Sequence, residues 1–211
     1  VADIAIFERS LYHSRNHQNG QHLFALPSFI ADYQELYTGG QLSLRKKREL
    51  PIVGFWGQAE GKKLDPIKRY LYWLIRRTSF QMGIMKWEPP PFETVAFRKK
   101  ILKDIAKSSQ IQTNYVLRER YRAGYYAQKK DPFHPTRMEF VRNILDSDYT
   151  VCMRGGGNFS VRFYEVLSLG RIPIFINTDC ILPFEKNVNY KEFVVWVEQD
   201  EIPFISEKII E

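Results

Sequence analysis

From Met153 the chain reads Met153-Arg154-Gly155-Gly156-Gly157-Asn158-Phe159-Ser160-Val161-Arg162-Phe163-Tyr164-Glu165, then runs through Val166 to Gly170 into Arg171-Ile172-Pro173-Ile174-Phe175-Ile176. This is the order of a strand, a glycine-rich loop, a helix and a second strand. Such a turn leaves backbone N–H groups unpaired at a helix N-terminus, where the aligned peptide dipoles favour negative charge. The arrangement therefore suits a phosphate or a carboxylate. Arg154 and Arg162 bracket the loop. Arg162 falls in the first helical turn, where a cation opposes the dipole at a cost of about 0.3–1 kcal/mol unless an anion shares the space. Arg162 and Glu165, three apart, lie on one helical face, while Phe163, Val166, Leu167 and Gly170 supply an apolar one.

The glycine spacing is neither Gly-x-Gly-x-x-Gly nor a loop ending in Gly-Lys-Ser/Thr, which disfavours a dinucleotide site or an NTPase. A plainer reading keeps the glycines as a tight turn and the arginines as solvated charges. Asp146-Ser147-Asp148 invites a metal-binding reading, but it directly precedes the apolar run Tyr149–Met153 and fits a helix-to-strand turn better. His13, His17, His22 and His134 do not form a convincing ligand pair, because Arg15, Asn16, Gln18, Asn19 and Gly20 surround the first two. Cys152 and Cys180 follow successive strand regions, and the sequence leaves thiols and a disulfide equally open.

Cys152-x-Arg154-Gly155, Ser160-x-Arg162-x-x-Glu165, Gly170-x-Ile172-Pro173-x-Phe175, Asp179-Cys180 and Leu182-Pro183-Phe184 together resemble the signature of the exostosin glycosyltransferases, family 47. The likeness is good over roughly residues 140 to 200. It is thinner at Leu26-Pro27-Ser28, Asp32-Tyr33 and Ile52–Gly57. The resemblance implies a GT-B architecture of two Rossmann-like domains, with a nucleotide-sugar donor, UDP- or GDP-linked, held mainly by the second. It also implies inverting, metal-independent transfer to a glycan or polysaccharide acceptor, with no cofactor beyond the donor.

By that resemblance Glu165 binds the donor's ribose hydroxyls, as a carboxylate accepting from a vicinal diol; its plainer alternative is a surface ion pair with Arg162. Arg154 and Arg162 would meet the diphosphate. Ser160 is as well explained as an N-cap as by ligand contact, and Asn158 reads first as a left-handed turn residue and second as a contact. The donor-binding set is thus Arg154, Gly156, Asn158, Ser160, Arg162 and Glu165, with Gly57 from a second glycine loop facing the same ligand. Arginines and a helix N-terminus can replace a metal at the leaving diphosphate. The general base stays unnamed, with Asp32, Glu35 and His22 as candidates by position alone.

The elements that must hold these residues alternate along the chain. The spacing predicts strands at Ile4–Phe7, Leu23–Leu26, Pro51–Phe55, Ile84–Trp87, 149–153, 172–176 and 193–197. Helices are predicted at Ser28–Tyr37, ending at Gly39-Gly40, at Ile67–Arg77 with Pro66 at its first position, at Val95–Ser108 and at Arg137–Leu145. The fold class is α/β, a Rossmann-like parallel sheet with flanking helices, of the GT-B C-terminal type. Residues 1–45 read as a partial N-terminal or crossover segment and 46–211 as the nucleotide-sugar-binding domain. A GT-B enzyme needs two halves of on the order of 150 residues each, so 211 residues suggest a chain that starts late, or a compact variant. Ile202 to Glu211 reads as a helix just beginning.

With 44% hydrophobic and 15% aromatic residues the chain can bury a sizeable core and still leave aromatics for sugar stacking. A net charge of +7 arises from clusters such as Arg45–Arg48, Arg76-Arg77, Arg98–Lys100 and Lys129-Lys130. These read as solvated helix ends whose field also attracts an anionic donor or acidic polysaccharide. They are scattered and carry no reading motif, which disfavours specific nucleic-acid binding. No membrane span or signal peptide is visible, and the compartment stays open. The alternative in another class is a non-catalytic nucleotide- or glycan-binding module, including one that supports a partner glycosyltransferase.

Overall fold

In Ile52–Gln58 (β3) apolar side chains alternate between two cores, Val53 and Phe55 on one side and Trp56 on the other. A strand covered on both faces needs such a nearly continuous apolar run. The same division recurs in Tyr149–Cys152 (β5) and Ile172–Ile176 (β6), where Val151, Ile174 and Ile176 face one core and Cys152 and Phe175 the other. A computed structural model describes residues 5–15, 22–59, 65–86, 88–120 and 131–211. Its remaining strands are Ala5–Glu8 (β1), His22–Ala25 (β2), Gln112–Arg118 (β4) and Val195–Val197 (β7). Its helices are Tyr33–Thr38 (α1), Asp65–Gln81 (α2), Thr94–Ile105 (α3), Pro135–Leu145 (α4), Val161–Ser168 (α5) and Ile205–Ile210 (α6).

The main sheet has the order β4-β3-β5-β6-β7, with every neighbouring pair parallel. Helices α3 and α6 close one face through Ile101, Leu102, Ile105, Ile205 and Ile209. Helices α1, α4 and α5 close the other through Tyr33, Phe140, Val141, Ile144, Phe163 and Val166. This is the expected Rossmann-like α/β layering. Counted within the sheet, the chain lays its first strand, β3, between the second and the third, so the winding direction reverses between β3 and β5. Ligands of open α/β sheets bind outside the carboxyl ends of the strands at such a switch point.

The β3–β5 ladder is short: its register pairs Val53 with Tyr149 and Gly54 with Thr150. Beyond it β3 continues against β4 alone to Gln58, and the space left on the β5 side opens toward the loop after β5. Gly54 permits the close approach that precedes this opening, since a Cβ there would lie 2.2 Å from Ser147 Oγ.

Several expectations need correction. Ile84–Lys86 form no strand; they follow Gly83, in the left-handed region at φ +72°, at the end of α2, and Ile84 is exposed. Trp87, Lys129, Lys130 and His17 lie outside the described residues, as does the side chain of His22. Strand β4 was not anticipated, because Gln-Thr-Asn-Tyr-Val-Leu-Arg has little apolar alternation, as suits an edge strand half open to solvent. The basic clusters are not simply solvated either: Arg45 Nε lies 2.6 Å from Asp148 Oδ1, and Arg98 bridges two loops described below. Helix α1 ends as expected at Gly39, in the left-handed conformation with φ 60°.

Candidate functional site

Helix α5 begins after Ser160, which makes no side-chain capping hydrogen bond, and this places Arg162 in the first turn as the sequence predicts. Its guanidinium turns into the gap between β3 and β5, where Nη2 donates to the Trp56 carbonyl. It lies over the Phe55 ring at 4.7 Å and the Phe140 ring at 5.7 Å. Gly57, with φ 151°, sits beside it, and a Cβ there would meet Arg162 Nη2 at 3.0 Å. The gap left by the short ladder is thus filled by a cation, which the glycine makes room for.

Glu165, one helical turn further on, is buried and lies on the same side. Its Oε1 accepts from the Tyr33 hydroxyl at 2.6 Å and from Arg137 Nη1 at 3.3 Å. Burial, the neighbouring Glu165 charge and this hydrogen bond push the Tyr33 phenol far above its ordinary value, so it stays a donor at neutral pH. Arg137 stacks over Tyr33 at 4.9 Å and Phe140 at 5.4 Å.

Arg162 and Glu165 face a cavity of about 540 Å³ at the carboxyl ends of β3 and β5, in the size range of a small-molecule site. One wall is the loop Gly155-Gly156-Gly157 with Ser160; another is Trp56, Gly57 and Gln58; the rest includes Tyr33, Tyr37, Arg98, Arg137 and Phe140. Arg98 ties the two loops together, donating to the Gln58 carbonyl at 3.0 Å and the Arg154 carbonyl at 3.2 Å. Gly155 and Gly156 have no positive φ, and a Cβ on either would meet nothing within 4 Å. Neither a left-handed backbone nor crowding by protein therefore requires these two glycines, and a Cβ on either would project into open space.

Gly57, Gly156, Ser160, Arg162 and Glu165 are thus brought together at one cavity, whereas Asn158 and Arg154 are placed elsewhere. Asn158 is fully buried and not left-handed. Its amide donates to the carbonyls of Leu11 and Asp179, and its Oδ1 accepts from Thr178 Oγ1 at 2.7 Å, which clamps the loop to the segment after β1. Arg154 turns beneath the loop, donates from Nη2 to the Tyr12 hydroxyl at 2.8 Å and stacks on that ring. Asp32 caps α1 by accepting from the Glu35 amide. In the Asp146–Asp148 turn, Asp148 Oδ2 accepts from the Ile52 amide. Tyr33, Arg98 and Arg137 escaped the sequence reading. For Arg137 a signal existed, since it too is a cation in a first helical turn, that of α4.

Cys152 and Cys180 are both free and buried. Burial pushes the Cys180 thiol up to about 12 and raises that of Cys152 as well. The native chain is expected to resist thiol-specific reagents near neutral pH and to release both thiols on denaturation, as a reagent titration with and without denaturant would show. A thiol whose folded pKa is raised stays neutral while its unfolded counterpart ionises. Stability should therefore fall as pH climbs past about 9, the ordinary thiol value.

The sequence matches the model of the Exostosin GT47 domain over residues 11–211. The chain belongs to the exostosin family of glycosyltransferases. It is 29% identical over 63 residues to Exostosin-1 of Drosophila melanogaster, a stretch covering 30% of this chain and 8% of that protein. It is 26% identical over 73 residues to the probable beta-1,4-xylosyltransferase IRX10L of Arabidopsis thaliana, covering 35% and 17%. It is 29% identical over 70 residues to the probable glucuronosyltransferase GUT1 of Oryza sativa subsp. japonica, covering 33% and 16%. The matched stretches thus span less than a fifth of each relative's own length.

Proposed function

We propose that this exostosin-family chain binds a nucleotide-sugar donor, UDP- or GDP-linked, in the switch-point cavity and takes part in inverting sugar transfer to a glycan or polysaccharide, without a cofactor or metal. The observation that carries this is the convergence of the open glycine loop, the first-turn Arg162 and the tethered Glu165 on one cavity. Glu165 uses Oε1 for Tyr33 and Arg137; its Oε2 is the acceptor offered to the ribose diol. The diphosphate lies along Gly155–Gly157 toward the α5 N-terminus and Arg162, and Tyr37 and Phe140 supply apolar and aromatic surface for the base.

In the reaction the acceptor oxygen attacks the anomeric carbon from the side opposite the diphosphate. The bond from that carbon to the diphosphate oxygen breaks, the acceptor hydroxyl gives its proton to a base, and the configuration inverts. Arg162 and the helix N-terminus stabilise the charge that grows on the departing diphosphate, an effect worth several kcal/mol in a closed site. Incubation with UDP- and GDP-sugars, an oligosaccharide acceptor and EDTA, followed by NMR of the new anomeric signal, tests this. An inverted product is expected. A retained configuration, or transfer that stops on chelation, overturns the mechanism.

The loop yields a prediction with opposite signs in two measurements. Gly156→Ala occupies space that only a ligand would use, so donor affinity should fall by about tenfold or more. Folding stability should rise by about 0.4–1 kcal/mol, because alanine restricts the unfolded chain at a permissive position. Calorimetric titration and chemical denaturation of the same protein check both signs.

A further inference from the structure

Arg98 stands on α3, which closes the sheet face opposite the one that Tyr33, Trp56 and Phe140 cover at the cavity. Val95, Ile101, Leu102 and Ile105 bury α3 in its core, and Glu93 caps the helix by accepting from the Val95 and Ala96 amides. From this fixed base the guanidinium reaches two carbonyls, Gln58 at the end of β3 and Arg154 just after β5. A planar fork of several donors can hold both at once.

Each carbonyl belongs to a trans peptide, whose C=O and following N–H point to opposite sides. The two peptides differ at their other end. Across from the Gln58 carbonyl, the Ala59 amide donates to the Arg118 carbonyl at 3.2 Å and is committed to the sheet. Across from the Arg154 carbonyl, the Gly155 amide donates to no group among the described residues, and Gly155 lines the cavity. With the Arg154 carbonyl drawn toward α3, this N–H is turned to the other side, that of α1, α4 and α5, where the cavity lies.

We propose that Arg98 is a positioning residue: by holding the Arg154 carbonyl it aims the Gly155 N–H at an oxygen of the donor's diphosphate. This rests on the reading that the diphosphate lies along Gly155–Gly157. A donor aimed before the ligand arrives needs no reorganisation, and its bond to a charged oxygen is stronger than one to a neutral group. Without Arg98 the peptide can turn, because Gly155 tolerates nearly all backbone angles.

Calorimetric titration and amide NMR of glycine-labelled protein test this, with UDP, GDP, inorganic pyrophosphate and the uncharged nucleosides as probes. In the parent, pyrophosphate should move the Gly155 amide signal. In Arg98→Gln that shift should be lost, and affinity for pyrophosphate and the nucleoside diphosphate should fall by about tenfold, as for one charge-assisted hydrogen bond. Nucleoside affinity should stay that of the parent. Arg98→Lys keeps the charge without the fork, so it should also lose most of the shift. A Gly155 signal that pyrophosphate leaves unmoved, an equal loss for nucleoside and diphosphate, or full recovery by lysine overturns the proposal. Nucleotides that bind through Arg162 and Glu165 without moving Gly155 overturn it alone and leave the donor site standing. An Arg98-dependent shift with pyrophosphate, but no nucleotide binding, keeps the aimed amide and overturns the nucleotide reading.

Discussion

Glu165→Ala should weaken nucleotide-sugar binding by at least about tenfold and destabilise the fold at the same time. The carboxylate is buried and accepts from Tyr33, itself 1% exposed, and from Arg137. Truncation leaves the Tyr33 hydroxyl without its acceptor, at about 1–3 kcal/mol, and leaves Arg137 without this counter-charge. Glu165→Gln separates the two effects. Its amide oxygen can still accept from Tyr33, so stability should stay within about 1 kcal/mol of the parent. The charge that strengthens hydrogen bonds from a ribose diol is gone, so affinity should still fall. Denaturant unfolding and calorimetric titration of both variants check this; a glutamine variant that binds donor like the parent would remove Glu165 from the site.

Arg162→Ala is expected to have a comparably large effect by a different route. The guanidinium provides the donor that the Trp56 carbonyl receives where the β3–β5 ladder has ended, and it lies over Phe55 and Phe140. Alanine removes that bond, the packing above both rings and the cation nearest the glycine loop's helix. Binding of a nucleoside diphosphate should fall by about 10–100-fold, the range for losing a charge-assisted contact. Arg162→Lys should recover part of the affinity but not the latch on Trp56, since an ammonium is a point charge without the planar fork. Titration with the diphosphate and with the uncharged nucleoside distinguishes contact with phosphate from general loosening: only the diphosphate should lose affinity strongly.

The α5 region was legible because its signals are local. A glycine run, a first-turn cation and an acid three residues on are fixed by helical geometry, and Arg162, Glu165 and Gly156 stand where that geometry puts them. Asn158 was misread for the same reason: a short polar residue in a glycine loop suggests a turn, whereas its partners Leu11 and Asp179 come from distant segments. Tyr33 reaches Glu165 across 132 residues, a contact set by how α1 packs on α5 and not by local spacing. The run at Ile84 misled because exposed apolar residues after a helix look like a strand until burial is known. Strand β4 hid for the converse reason, being polar and at the edge.

Calorimetric titration of this chain with UDP, GDP and their sugar conjugates, in EDTA, tests the central claim most directly. Micromolar binding of one nucleotide family that survives chelation, and that drops by at least about 1.4 kcal/mol in Arg162→Ala and in Glu165→Ala, is the expected result. Binding indifferent to both substitutions, or no binding of any nucleotide by the folded chain, would contradict it.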